Sequence, residues 1–525
     1  MRIIKSAFLV FIFVFLLLNS FAQNPALKFI DAGDLKRHLE FLSSDSLQGR
    51  AFETPVPGLE MAAEYLKKNG QIIGLIPAFP DYFQTFPVFS AQPDFENYFL
   101  ELTDSLGNVL FRTDSIVGLP ADAGVQISNA GVVFAGFGYQ DEKTGYDDFR
   151  GIDISGKVVI FTAGTPESVQ KKEVPGWNNS LETAKIERAK KAGALMVIII
   201  SNPLDTGNTV YNRISRWANR KDFSLEISGN KNENYQFLLT TSSLAGVLPG
   251  VKERLANLTE EKSPEYHSGS YLLEGLRINI NIERKIKTFQ AKNVVGFIEG
   301  SHPELKNECI VFMAHYDHLG NDASGGVFNG ADDNGSGTVA LLEVAEAFMS
   351  LDSKPKRSLV FLWVTAEEVG LLGSGYYAKN PVFPINKTVA CINIDMAGRV
   401  FEPRDTIWNK SAKMVKDFDG IYSLTNDIWP GLKKISNSVC RELGLIPDNS
   451  LPASFLQSSD HFSFHRLGVP IINYSTGYHA DYHKQTDEIS RINFDKMKRV
   501  ADLCFLVGLE IANLKKIEYS NHEKK

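Results

Sequence analysis

Five short segments of this chain concentrate side chains that bind metal ions or move protons. They are Ala314-His315-Tyr316-Asp317-His318, the loop from Gly330 through Asp332-Asp333-Asn334 to Gly337, Thr365-Ala366-Glu367-Glu368, Asp395-Met396-Ala397-Gly398, and His479-Ala480-Asp481-Tyr482-His483. Imidazoles and carboxylates without thiolates suit Zn²⁺, with Mn²⁺ or Co²⁺ as chemical substitutes. Two histidines and three carboxylates exceed the needs of one catalytic zinc, which takes three protein ligands and a water. They match two ions, ~3.5–4 Å apart, sharing a bridging carboxylate and a water, a set suited to hydrolysis.

Such side chains need rigid elements to bring them together. Four of the segments directly follow apolar, strand-like runs: Cys309–Met313, Leu359–Val364, Val389–Ile394 and Val469–Tyr474. A fifth run, Asn293–Ile298, precedes them, and helical patterns at Thr338–Met349 and Leu432–Leu443 lie between. Continuous apolar strands alternating with helices predict an α/β fold, a mixed, mostly parallel sheet with helices on both faces. Ligands in such sheets bind beyond the carboxyl ends of the strands. Several ends carrying His, Asp and Glu together are a far stronger signal than one.

The rest of the chain sets the context. Of 525 residues, 43% are hydrophobic and 22% charged, which excludes global disorder. The formal charge of −7 gives no general attraction to nucleic acid or anionic lipid. Residues 1–22 read as an export signal: Arg2 and Lys5, an apolar run from Ala7 to Leu18, then Ser20-Phe21-Ala22. No later run is long enough to span a bilayer, so no stable membrane insertion is expected after cleavage, and the place of action is secreted or periplasmic. The four cysteines sit inside apolar runs and read as buried free thiols. Residues 23–124 read as the N-terminal part of the catalytic domain, 125–285 as an insert without chemistry of its own, 286–515 as the catalytic domain and 516–525 as a tail.

The series AHYDHLG, GADDNGSG, TAEEVGLLGS, NIDMAGR and DYHKQTDE resembles the di-zinc aminopeptidases of metallopeptidase family M28 (clan MH) over roughly 290–510. Ser43 to Arg50 is similar to that family's N-terminal segment. The GVVFAGFGY, GKVVIF and AKKAGALMVIII segments resemble a β-rich protease-associated domain inserted in such enzymes. The resemblance implies a phosphorylase/zinc-peptidase-like fold and two Zn²⁺ per chain. His315 and Asp395 would ligate one ion, Glu368 and His483 the other, and Asp332 would bridge them. Glu367 would be the general base, Asp317 would orient His315, and the peptide joining Asp332 and Asp333 would be cis.

These readings converge on an exported metallo-exopeptidase that acts on peptides and releases N-terminal residues. The same fold also admits a glutamate-releasing carboxypeptidase or a glutaminyl cyclase, and a non-catalytic receptor is the reading from another class. Some family members carry a tyrosine shortly before the Ser-Asp-His segment to bind the oxyanion. Here Ser454 to Ser458 contains none, and Tyr474 is the substitute considered.

Overall fold

The computed structural model describes residues 24–520 except 120–123, 144, 166–178, 202–206, 209–210, 213, 216–220, 228–236, 252–269 and 407–413. The expected signal, residues 1–22, lies outside the described residues. Among the described residues no helix is long and apolar enough to cross a membrane. The chain forms two compact units, Met1–Pro87 with Phe289–Lys525, and Val88–Thr288.

The first unit is the α/β domain expected from the strand–helix alternation. Its elements in chain order are α1 (Ala32–Leu42), α2 (Gly58–Ile73), β1 (Tyr271–Ile298, of which only Phe289–Ile298 lies in this unit), β2 (Cys309–His315), α3 (Gly337–Met349), β3 (Ser358–Val364), α4 (Leu372–Lys379), β4 (Thr388–Ile394), β5 (Gly420–Thr425), α5 (Pro430–Glu442), β6 (Ile446–Asp448), α6 (His461–His465), β7 (Ile471–Ser475) and α7 (Phe494–Asn513). The sheet order is β6-β5-β7-β4-β2-β3-β1. Strands β7, β4, β2 and β3 are parallel, while β1 runs antiparallel to β3 and β5 antiparallel to β7. The sheet is therefore mixed and mostly parallel.

Successive side chains on a strand point to opposite faces, so a strand covered on both faces must be apolar at every position. On β2, Ile310, Phe312 and Ala314 enter the core that holds Leu39 of α1, Leu342 of α3 and Phe505 of α7. Cys309, Val311 and Met313 enter the opposite core with Tyr377 of α4 and Phe464 of α6. A fully buried Val, Leu, Ile or Phe contributes ~1.5–3 kcal/mol, so these two cores fix the sheet and with it the ends of its strands. The helices start at local signals. Asp31 caps α1 by accepting from the Gly33 and Asp34 N–H groups, and Asn493 caps α7 by accepting from Lys496 N–H. All four cysteines are buried and free.

The second unit begins at Val88, well before the expected residue 125, and ends at Thr288 rather than 285. The strand Phe83–Thr103 explains the shift: it runs unbroken through the point where the two units part. This unit is rich in strands and also holds α-helix. Strands Val125–Phe134, Val158–Thr162, Met196–Ile200 and Phe237–Thr240 are parallel neighbours, and the helix Asn179–Lys191 follows the second of them. Ile160, Ile198 and Leu238 fill one of its cores, and Val159, Ile199 and Leu239 the other.

Candidate metal centre

His315 is the last residue of β2, Glu367 and Glu368 follow β3, and Asp395 follows β4. Asp333 lies in the turn before α3, and His483 on the loop between β7 and α7. Parallel strands end at the same edge, so the sheet itself gathers these groups. Three residues at the site hold a left-handed backbone without being glycine: Ala366 (φ 59°), Met396 (φ 59°) and His483 (φ 55°). Such conformations cost about 1–3 kcal/mol each and cluster at functional sites. Each one turns the chain at a candidate ligand.

Asp333 occupies the centre. His315 Nε2 lies 3.5 Å from Asp333 Oδ1 and 3.5 Å from Asp395 Oδ1. His483 Nε2 lies 3.2 Å from Asp333 Oδ2 and 3.3 Å from Glu368 Oε2. One oxygen of Asp333 thus joins each group of donors. Ligands ~2.0–2.1 Å from a tetrahedral zinc stand about 3.3 Å apart, which is the spacing seen in both groups. Asp395 Oδ1 is buried and accepts no hydrogen bond from the protein. The donor chemistry and the donor–donor distances fit two zinc-type cations bridged by Asp333.

Asp332, expected to bridge, does not reach this point. Its Oδ1 accepts from Gly398 N–H at 2.7 Å, and its Oδ2 lies 3.3 Å from His479 Nε2. Asp333 has extended backbone (φ −101°, ψ 98°), so adjacent carboxylates leave the chain in different directions and one residue of register decides which faces the histidines. The cis peptide likewise joins Asp333 and Asn334, one residue later than expected. Asp487 fixes this turn, accepting from the N–H groups of both Asp332 and Asp333 at 3.0–3.1 Å.

The layer behind the donors is extensive. His315 Nδ1 faces the Asp317 carbonyl at 3.2 Å, which leaves Nε2 for a cation; the Asp317 carboxylate is farther, at 3.7 Å. That carboxylate instead accepts from Glu367 N–H at 3.1 Å and Glu368 N–H at 3.2 Å, so it fixes the carboxylate pair. His318 Nδ1 holds the second oxygen of Glu368 at 2.9 Å and stands 3.9 Å from Asp333. It can join a cation site with Asp333 and Glu368. His483 fits that site better, because its distances to the two carboxylates are equal within 0.1 Å. His479, Arg399 and Asp481 form a buried chain beneath Asp332: Arg399 donates to His479 Nδ1 at 3.1 Å and to Asp481 at 3.0 Å.

The electrostatics point the same way. Burial disfavours a charged His483, yet Asp333 and Glu368 outweigh it and hold the imidazolium up to about 10. Burial similarly opposes protonation of His315, and Glu367, Asp333 and Asp395 raise it well above the usual histidine value. The carboxylates draw positive charge to these two points. Burial, with Glu368, Asp460 and Asp395, raises Glu367 well above the ordinary carboxyl range against the pull of His315. A carboxyl so placed is suited to receive and return a proton.

Tyr474 is not at the site; its hydroxyl lies 2.8 Å from Ser436 Oγ within the core. His461 is structural, its Nε2 3.2 Å from the Phe455 carbonyl. Two other tyrosines border the centre. Tyr482 stacks on His483 with ring centroids 3.8 Å apart, and Tyr478 lies 4.5 Å from Tyr482. Burial, then Asp395 and Asp333, raises the Tyr478 hydroxyl, so it stays a donor. A small pocket of about 30 Å³ lies beside Asp395, walled by Met396, Leu451, Phe455 and Tyr478, with Asn473 and Ser475 among its polar lining.

The sequence profile of Peptidase family M28 matches residues 293–507. Aminopeptidase YwaD of Bacillus subtilis is 29% identical over 231 residues, 42% of this chain and 45% of the relative. Leucine aminopeptidase 1 of Arthroderma gypseum is 29% identical over 43% of this chain and 61% of its own. The Glutamate carboxypeptidase 2 homolog of Caenorhabditis elegans is 25% identical over 74% of this chain and 56% of its own. The chain thus spans about half the length of these curated relatives. The solved aminopeptidase from Aneurinibacillus sp. strain AM-1 aligns with 95% of this chain and 98% of its own, with a TM-score of 0.52 at 19% identity, a likeness of fold. The motifs, the sheet that carries them and the profile agree: residues 293–507 of this chain match Peptidase family M28.

Proposed function

We propose that the protein is an exported two-zinc aminopeptidase. One observation carries the reading: the two oxygens of Asp333 face two different His–carboxylate pairs at the spacing of zinc ligands. The names of the relatives, aminopeptidase and leucine aminopeptidase, support release of N-terminal residues. Export rests on the leader-like residues 1–22.

In this reading His315, Asp395 and Asp333 hold one ion, and His483, Glu368 and Asp333 the other. When bound, the ions polarise the scissile carbonyl and acidify the attacking water. Glu367 takes the water's proton and delivers it to the leaving amine. Asp317 keeps Glu367 and Glu368 in place through their backbone N–H groups. Tyr478 or Tyr482 supplies a hydroxyl donor to the developing oxyanion, a contribution of the oxyanion-hole kind. The second unit, read as a protease-associated insert, acts on access or substrate size.

The test is a panel of peptides with free or blocked N-termini, with zinc measured on the same sample. Stepwise release from free N-termini and no turnover of blocked peptides is expected. The carboxypeptidase homolog, matched over 74% of this chain, keeps glutamate release as the second reading. Cleavage of N-blocked peptides from the C-terminus would establish it and overturn the aminopeptidase.

A further inference from the structure

Arg50 belongs to the N-terminal segment, more than 260 residues before the metal centre in sequence, yet its side chain is 1% exposed and ends against the loops that carry the centre. Its Nε donates to the Tyr316 carbonyl at 2.8 Å, Nη1 to Asn329 at 2.7 Å and also to Leu42, and Nη2 to Gly330 at 2.9 Å. Tyr316 stands between His315 and Asp317. Gly330 opens the turn that holds Asp333. One rigid planar fork therefore ties the His315–His318 loop to the Asp333 loop.

The backbone around Arg50 is built into the same place. Gln48, Gly49 and Arg50 all have positive φ, at 48°, 70° and 49°. A Cβ on Gly49 would stand 2.4 Å from the Gly320 carbonyl and 2.6 Å from that of Phe328, so only glycine fits. The Arg50 carbonyl accepts from His318 N–H at 3.1 Å, and that of Gly49 from Gly320 N–H at 3.0 Å. Two non-glycine residues in this conformation cost about 1–3 kcal/mol each. None of the guanidinium's hydrogen bonds goes to a carboxylate. Burial lowers the guanidinium to about 10, and the charges of Asp317, Asp487, Asp333 and Glu368, which it faces, act against that without cancelling it.

We propose that Arg50 is a positioning residue for the two-metal site, setting the separation of the His315 and Asp333 loops and supplying a fixed cation among their carboxylates. The proposal rests on the two-zinc reading. An arginine that merely fills a core would affect stability and leave the ions alone.

The experiment measures zinc affinity by chelator competition, thermal unfolding, and kcat and KM for wild type, Arg50→Lys and Arg357→Lys. Arg357 is the control: it is equally buried and bonds the Ile511 and Leu514 carbonyls at the opposite end of the strands. Both variants should lower Tm. Arg50→Lys alone should also weaken zinc binding at least tenfold and lower kcat with little change in KM. Arg50→Lys binding zinc like wild type would overturn the proposal. Wild type holding fewer than two zincs would instead overturn the two-zinc reading, so the failures are separable. Where Arg50→Lys yields no folded protein, Gln48→Ala takes its place, removing the 2.8 Å hydrogen bond from Asn321 on the same turn. Zinc bound at least threefold more weakly supports the proposal, and unchanged binding overturns it.

Discussion

Glu367 and Glu368 are chemically alike and adjacent, so only geometry separates their roles. Glu368 stands 3.3 Å from His483 through one oxygen and 2.9 Å from His318 through the other, whereas Glu367 is coupled electrostatically to His315, Asp395 and Asp460. Glu367→Gln should keep two zincs and lose ~10²–10⁴ in kcat, the usual effect of removing a general base. Glu368→Gln should bind one zinc far more weakly, and metal analysis showing the opposite pattern would exchange the roles. The residue types of this centre were legible in the sequence, but only Asp395 stands alone in its motif; His315, Glu368 and His483 share theirs with His318, Glu367 and His479, and the family resemblance made those choices. The choice within the Asp332-Asp333 doublet was not legible. Two carboxylates of equal chemistry differ there only in backbone direction, which depends on the Asp487 clamp more than 150 residues away. Arg50 was hidden for the same reason: its partners are carbonyls, which leave no mark on a sequence.

At the scale of elements, the packing of α3 controls the centre. A Cβ on Gly337, the first residue of that helix, would meet Asn334 Oδ1 at 2.3 Å and the Ile394 carbonyl at 2.4 Å. Gly337→Ala should destabilise by about 1–3 kcal/mol through overpacking and also weaken zinc binding, because it separates the Asp333 turn from Ile394, the last residue of the strand that Asp395 follows. Denaturant unfolding with and without zinc checks both effects. The same helix carries Glu343, whose Oε2 accepts from Asp31 N–H at 3.1 Å beside His38 of α1. Burial raises Glu343 from 4.5 to about 8, so the folded state binds a proton that the unfolded chain releases. Its stabilising contribution is complete below pH 4.5 and is lost as pH rises towards 8. Glu343→Gln should therefore gain Tm relative to wild type progressively across that range. A difference independent of pH would contradict this. The buried strands were readable because two-faced burial demands unbroken apolar runs. Strand β5 was not, since Gly420-Ile-Tyr-Ser-Leu-Thr425 mixes polar and apolar residues as a strand near the sheet edge does.

For the whole molecule, the two-unit division makes a statement about where the chain can be cut. Joining Pro87 to Phe289 through a short linker removes the second unit and should leave zinc binding intact while changing the preferred peptide length. Removing 125–285 instead would take Asp222–Ser224 from its place beside Phe89–Ala91 and cut away the first half of Tyr271–Ile298, which also pairs with Phe83–Thr103, and unpaired strand edges of this kind aggregate. Composition and periodicity place an insert at 125–285, whereas the compact unit runs Val88–Thr288; a strand running on from one unit into the next gives no local boundary signal. The central claim is that one carboxylate, that of Asp333, joins two metal sites in the intact chain. Its most direct test is zinc content after exhaustive dialysis of wild type, Asp332→Asn and Asp333→Asn. The account predicts two equivalents for wild type, two for Asp332→Asn, whose side chain still meets Gly398, and fewer than one for Asp333→Asn. Two zincs retained by Asp333→Asn, with loss in Asp332→Asn, would contradict it.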